Sequence, residues 1–266
     1  MKDVTGGTIY QHFRKNEQSF IDSIFDWIYR VEDYYTPYLT NFLDPRQQYI
    51  LRSIIGNREN IKLEFYGGYD DAERKRALIS PLYLKSSPAD FEIQLFEIDY
   101  PSDFLKISHG QVLGSSLALG IDREKFGDII TDGERWQFFV DEQLTEFIRL
   151  EFTRIGRHSI LVEPLDLEGA IDVKEKYEEK TVSVSSYRID AVISSAFNLS
   201  RAKVKELIQA DKVKLNWNLI DQPSLEIDLY DVVSVRGLGR VMINERIGQS
   251  RKNNEIIDLK ILNRNQ

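Results

Sequence analysis

The chain has no cysteine and only three histidines. Without thiols there is no disulfide framework and no thiolate metal site. His12, His109 and His158 are scattered with no ligand spacing, so neither a metal nor a cofactor is expected. Long apolar runs are missing too: none approaches the roughly 18 residues needed to cross a bilayer, and no membrane insertion is expected. The opening MKDVTGGTIYQHF carries an early acid and has no apolar stretch before a small-residue cleavage site, so it does not read as a secretory leader. A cytoplasmic location is the simplest expectation. No low-complexity tract suggests disorder. No glycine-rich turn follows a strand as a nucleotide cofactor would require, and Gly114-Ser115-Ser116 is a small-residue run that lets a helix pack closely.

What is present is a composition of 42% hydrophobic and 29% charged residues over 266 positions, enough for two or three modest domains. The net charge of −8 argues at first against a polyanionic partner. The charge is unevenly distributed, however. Residues 182–266 hold 13 Lys and Arg against 10 Asp and Glu, while the rest holds 22 against 33. The field at a binding face is set by groups within about a Debye length, roughly 8–10 Å, so the mean charge says little about the C-terminal end.

The pattern predicts an α+β protein in three parts. Residues 1–75 read as a mostly helical domain. Phe13, Phe20, Ile24, Ile28 and Val31 recur at helical spacing, and Asp44-Pro45-Arg46-Gln47 is a capped helix start whose helix stops at Gly56. Ile61 to Tyr66 reads as a strand, and the charged run Asp70 to Arg76 as a solvated boundary. Residues 76–168 give strand, helix, strand, strand, helix, strand, the order of a ferredoxin-like (βαββαβ) domain. There Trp136, Phe138 and Phe139 are expected in the core rather than as a base-stacking surface. Residues 169–181 alternate in charge and are expected to be a linker. Residues 182–266 form a small α+β domain.

In that last part Ile189, Val192, Ile193 and Ala196 make one face of a short helix, and Ser200 is placed to cap a second. The second helix carries Arg201, Lys203 and Lys205 in its first turns, where helix stability alone favours acids. Lys212, Lys214 and Asn216 then alternate outward from Val213 and Leu215. Arg236 and Arg240 flank the turn after a valine-rich strand, and Arg188 precedes the first helix. Cations leaving a helix start, a strand and a turn suit phosphates. Asp190 reads as structural, since an acid repels phosphate.

RIDAVISSAFNLSRAKVKELIQADKVKLNW, followed by LYDVVSVRGLGR, resembles the alpha-L RNA-binding motif first recognised in the fourth protein of the small ribosomal subunit. Arg188, Asp190, Ser200, Arg201, Val213, Leu215, Asn216 and Asp231 fall on its pattern. Trp217 stands where the motif has its turn glycine, and Tyr230 where it has glycine before the aspartate, which puts both turns in question. With HGQVLGSSLALGIDREKFGDI in the middle and this domain last, nearly the whole chain resembles the YlmH family of bacterial RNA-binding proteins. The resemblance implies binding to structured RNA (ribosomal RNA, or a tRNA-bearing large ribosomal subunit), with links to rescue of stalled translation and to cell division. It implies no DNA partner. The RNA-contacting set expected is Arg188, Ser200, Arg201, Lys203, Lys205, Lys212, Lys214, Asn216, Arg236 and Arg240, with no catalytic residue. Two alternatives stay open: an RNA-modifying enzyme, and a protein adaptor for which RNA is secondary.

Overall fold

A computed structural model describes residues 10–56, 58–101, 106–172 and 177–263; the side chain of His12 and residues 173–176 of the expected linker lie outside that set. The chain divides into two compact units, Met1–Val173 and Lys174–Gln266.

The first unit opens with helix α1 (Gln18–Tyr34), which buries Ile21, Ile24, Ile28 and Val31 along one stripe and ends at Tyr35 in the left-handed region. Strand β1 (Tyr38–Leu43) leads into helix α2 (Pro45–Ile55). Its start is held as expected. Asp44 accepts from the Gln47 N–H at 2.8 Å, and the Gln47 amide oxygen accepts from the Asp44 N–H at 2.9 Å. Strands β2 (Ile61–Tyr66) and β3 (Lys75–Pro81) complete an antiparallel sheet of order β1-β3-β2. The helices pack on it through Ile50, Leu51, Ala77 and Ile79. This part is therefore a helix pair on a three-stranded sheet; β1 and β3 went unread in the sequence.

The run Asp70 to Arg76 is not the solvated connection that its charge suggested. Arg74 and Arg76 are both buried, at 4% exposure. Arg74 donates to the carbonyls of Phe126 at 3.1 Å and Phe42 at 2.8 Å. Arg76 donates to those of Thr40 and Glu92, both at 2.8 Å, and lies 3.5 Å from the Asp141 carboxylate. Burial pulls both guanidinium groups below their ordinary pKa, against nearby carboxylates that hold them up. The planar fork, with donors in fixed directions, meets carbonyls from several strands at once.

The next elements are β4 (Ile93–Asp99), α3 (His109–Leu117), β5 (Phe126–Thr131), β6 (Trp136–Asp141), α4 (Thr145–Glu151), a small hairpin β7 (Arg154–Ile155) and β8 (His158–Ser159), and β9 (Leu161–Leu165). The sheet order is β5-β6-β4-β9 with every pair antiparallel, the ferredoxin-like arrangement. One face packs Phe96, Phe126 and Phe138 on the helices through Val112 and Ile148. The other packs Leu95 and Phe139 against Phe42 and Leu78 of the first sheet. All of β6 is consequently buried, so Trp136, Phe138 and Phe139 are core. At Gly68 a side chain would run into the Phe139 ring at 2.4 Å, and φ is +99°. Only glycine suits that approach.

The second unit contains β10 (Glu178–Val184), α5 (Ile189–Phe197), α6 (Arg201–Gln209), β11 (Val213–Leu215), β12 (Asn218–Leu219), β13 (Val232–Val235), β14 (Gly239–Gln249) and β15 (Glu255–Asn263). Its sheet order is β10-β15-β14-β13-β11-β12. Val192, Ile193, Val204 and Ile208 of the helices share a core with Val213, Val233, Val241, Ile257, Leu259 and Ile261, so both helices cover one face. The end of the stretch expected to be a linker is in fact strand β10. Its Lys180 faces the helices, and the ammonium donates to the carbonyls of Ser195 and Ala196 at 3.2 and 3.3 Å. A cation at a helix C-terminus satisfies orphan acceptors and complements the dipole.

The carboxylate of the half-buried Asp128 ties the 69–74 segment to β5, accepting from the Tyr69 hydroxyl, the Glu73 N–H and the Arg74 N–H at 3.0, 2.7 and 3.2 Å. Burial and the neighbouring Glu73 carboxylate raise it to about 6, against the bonds that lower it. A carboxyl raised on folding stabilises fully below its unfolded pKa of about 3.9 and loses that contribution as pH rises through 6. Wild type should thus gain on the order of 1–3 kcal/mol over Asp128→Asn between pH 7.5 and pH 4. Urea midpoints of the two proteins across that range check this; a constant difference contradicts it.

Candidate nucleic-acid interface

The cations of the second unit are positioned by one hairpin and one helix. In β11 the side chains alternate, Val213 and Leu215 buried and Lys214 exposed. Register carries that alternation across the sheet. Lys214 pairs with Ser234, which pairs with Arg240, which pairs with Leu262, so all four share the face away from the helices. Adjacent strands lie about 4.8 Å apart, which puts Lys214 and Arg240 roughly 10 Å from one another. Lys212 and Arg236 stand at the adjoining corner, where the Arg236 N–H donates to the Lys212 carbonyl at 2.8 Å and the Lys212 N–H to the Leu207 carbonyl at 3.0 Å. Lys212, Lys214 and Arg236 are exposed, and no acid pairs with them among the described residues. Lys260, which sequence patterning did not single out, stands on the same face beside Met242 and across from Glu179. Its signal was present in the alternation of Ile257, Leu259 and Ile261 around it.

On α6 the buried residues are Val204 and Ile208. At 100° per residue, Arg201 and Lys205 lie side by side at one border of that stripe, and Lys203 points to the far side. Lys205 is exposed and carries no ion pair among the described residues. Arg201 donates to the Ser185 hydroxyl at 2.6 Å, a neutral partner that leaves its charge uncompensated. Lys203 pairs with Glu206 at 2.8 Å. Because α6 lies on the helix-covered face, the expected single cluster is resolved into two groups. Arg201 and Lys205 lie on the helix layer, and Lys214 and Arg240 on the opposite face. Lys212 and Arg236 stand at the corner that follows α6.

Three of the expected contact residues have internal roles. The Arg188 guanidinium forks onto Asp190 with bonds of 3.1 and 2.9 Å, and Asp190 is only 1% exposed. That carboxylate holds Arg188 above its ordinary pKa. Ser200 caps α6, accepting from the Lys203 N–H at 3.2 Å. Asn216 is used at both ends: its amide nitrogen donates to Asp231 at 2.9 Å, and its amide oxygen accepts from the Val232 N–H at 2.9 Å. Asp231 is fully buried and also accepts from the Asp228 N–H at 2.7 Å.

The two turns put in question by Trp217 and Tyr230 keep a left-handed backbone. Asn216 and Trp217 have φ of 45° and 66°, and they join β11 to β12 as a two-residue turn. Tyr230 has φ of 62° just before Asp231. A bulky side chain in that region costs about 1–2 kcal/mol, which the Asn216–Asp231 bonds offset.

Comparison with known proteins matches this geometry. Residues 16–84 match the family model described as "YlmH, N-terminal" and residues 86–169 the one described as "Putative RNA-binding domain in YlmH". Residues 188–233, which hold α5, α6 and the Asn216–Asp231 pair, match the S4 domain. The chain belongs to the YlmH family. It is 38% identical over 248 residues to "Ribosome-associated protein quality control protein P2" of Bacillus subtilis (strain 168), covering 92% of this chain and 95% of that one. It is also similar to a solved structure titled "Cell division protein ylmH from Streptococcus pneumoniae". That match has a TM-score of 0.53 and 34% identity, and it covers 61% of this chain and 99% of the other. The S4 domain of this YlmH-family chain is thus an RNA-binding motif. Its two characteristic turns are held by a buried carboxylate rather than by glycine.

Replacing Asn216 with Ala removes the side-chain acceptor of the Val232 N–H and one donor to the buried Asp231 carboxylate, and should cost about 2–3 kcal/mol. Urea unfolding of the second unit measures this. A variant as stable as wild type shows that Asn216 is not the brace assigned to it.

Proposed function

We propose that the protein holds structured RNA without catalysing a reaction on it. The RNA is ribosomal RNA or a tRNA-bearing large ribosomal subunit, and the setting is rescue of stalled translation in the cytoplasm. The observation that carries this reading is the group of exposed cations at the α6–β11 corner, paired by no acid among the described residues, within and just after the segment that matches the S4 domain. The name of the Bacillus subtilis relative supports the ribosomal setting. The absence from the sequence of a glycine-rich cofactor turn supports a binding role over methyl transfer. No described helix is long and apolar enough to cross a membrane.

Contact with phosphates releases condensed counterions, so affinity falls steeply with salt, by nearly one power of salt concentration per phosphate. Purified protein should co-sediment with large ribosomal subunits at moderate salt and leave them at high salt. The double variants Lys214→Ala with Arg236→Ala, and Arg201→Ala with Lys205→Ala, should each weaken binding about 5- to 50-fold. Each should lower the salt exponent by roughly two. Lys203→Ala should change it less, since Glu206 already takes that charge. Double variants that bind as tightly as wild type at low salt contradict the reading.

A second reading, a protein adaptor, has its own observation. Tyr29, Tyr34, Tyr35, Leu82 and Tyr83 are all more than half exposed. Tyr38 pairs with Ile79, so the segments carrying Tyr35 and Leu82 leave the same end of the first sheet. Exposed aromatic groups of this kind anchor protein interfaces. Pull-downs with and without nuclease separate the readings: a protein partner retained after nuclease favours the adaptor, and loss of all partners favours RNA.

A further inference from the structure

Beyond the segment matching the S4 domain, β14 and β15 form a long hairpin, and the outer half of β14 is exposed. From Glu245 to Gln249 every side chain is exposed, on both faces of the strand, and Ile247 keeps half its surface in water. The hairpin closes through the 250–254 loop, where the Ser250 N–H donates to the Asn254 carbonyl at 2.8 Å and the Asn253 N–H to the Ser250 carbonyl at 2.9 Å. From Arg246 to Asn254 the sequence Arg-Ile-Gly-Gln-Ser-Arg-Lys-Asn-Asn has no acid. Arg246 is committed to Asp228 at 2.7 Å and to the Tyr187 ring at 4.2 Å. Arg251 and Lys252, at the tip, are exposed and have no ion pair among the described residues. The nearest acid in the register, Glu255, is occupied by the Tyr187 hydroxyl at 2.9 Å and the Gln249 amide at 2.8 Å.

The topology brings a third cation to this end of the sheet. Val184, the last residue of β10, pairs with Glu255 at the foot of the tip loop, and Ser185 follows it. Ser185 is the residue that receives the Arg201 guanidinium. Arg201 and the tip therefore stand at one end of the sheet. Lys214, Arg236 and Arg240 stand at the other, where Gly239 pairs with Val235. Along β14 the two ends are separated by roughly 30 Å, at about 3.3 Å per residue. Core packing does not account for an exposed outer strand that ends in cations with no ion pair among the described residues, since Arg246 is the residue of that strand that packs, on Tyr187 and Asp228. Charged side chains on an exposed edge also deter strand pairing with another chain, but that role does not require both cations to sit in the tip loop, beyond the paired residues.

We propose that the tip of this arm, Arg251 and Lys252 together with Arg201, is a second phosphate-binding point. It grips the same RNA that the Lys214 and Arg236 end holds, so that the protein spans a length of RNA duplex rather than a single phosphate cluster. The proposal rests on the RNA-binding reading and adds the class of RNA: helical, and long enough to reach both points. Double-stranded RNA presents phosphates and 2′-hydroxyls across its wide minor groove, and recognition by shape over about 16 base pairs needs no base reading.

The test uses the full chain, wild type and Arg251→Ala with Lys252→Ala, with two labelled RNA hairpins of about 20 and about 8 base pairs. Anisotropy titrations from low to moderate salt read affinity and salt exponent. Weak sequence-independent binding through phosphates suffices for the measurement. The wild type should bind the longer hairpin more tightly. The tip variant should lose about 5- to 30-fold on the longer hairpin, with its salt exponent lower by roughly two, and should change little on the shorter one. Thermal melting identical to wild type excludes misfolding, since both substituted side chains are exposed. Unchanged binding of the longer hairpin by the tip variant, while Lys214→Ala with Arg236→Ala is weakened, overturns the second point and leaves RNA binding standing. Failure of the wild type to bind either hairpin overturns the RNA reading and the proposal with it.

Discussion

The buried carboxylate of Asp231 sits between two turns that the backbone alone would not hold. It receives the Asn216 amide and the Asp228 N–H, while Asn216 accepts from Val232 one residue further on. These bonds lie out of water, where a made bond to a charged group contributes about 1.5–3 kcal/mol and an unmade one costs as much. They lock β11 to β13 in one register, and a slip of one residue would turn every side chain to the opposite face. Lys214 stays on the outer face only because that register holds. The placement of the cationic surface is thus set by a fully buried acid.

The same division of labour recurs elsewhere in the second unit. Arg188 and Lys203 each have an acid partner, Asp190 and Glu206. Lys180 is spent on the end of α5. The cations left over lie at the α6–β11 corner, on the outer face and at the hairpin tip. In the first unit the arginines work differently. Arg74 and Arg76 are buried among carbonyls and join the helix-capped sheet to the ferredoxin-like sheet as one body. Outside residues 182–266 acids outnumber bases.

Legibility followed the range of the interactions. The capping of α2 by Asp44 and Gln47, and of α6 by Ser200, lies within four residues and was plain in the sequence. So was the apolar pattern of β4 and β6, although the reason both their faces are buried is a separate sheet, β1-β3-β2, formed earlier in the chain. The burial of Arg74 and Arg76 was not legible, because it depends on the carbonyls of Phe42, Thr40 and Phe126, far away in the chain. Charge alone suggested a solvated loop there. Asn216 looked like a contact residue because it follows Lys212 and Lys214 in the outward alternation and the chain turns after it; its role appears only once Asp231 is brought beside it. Trp217 and Tyr230 looked disruptive, yet the turns survive because polar bonds offset the backbone strain. The β14–β15 arm went unread although Ile257, Leu259 and Ile261 alternate, since the charges and amides around the tip resemble a loose tail.

On the proposed reading, the cations that pair with no acid among the described residues are the ones that meet RNA. Amide and side-chain NMR of the full chain during titration with ribosomal RNA fragments tests it most directly. The account predicts that the resonances of Lys205, Lys212, Lys214 and Arg236 shift first and furthest, while those of Arg188 and Lys203 stay near their starting positions. The largest shifts falling on Arg188 and Lys203, or in the acidic first unit, would contradict it.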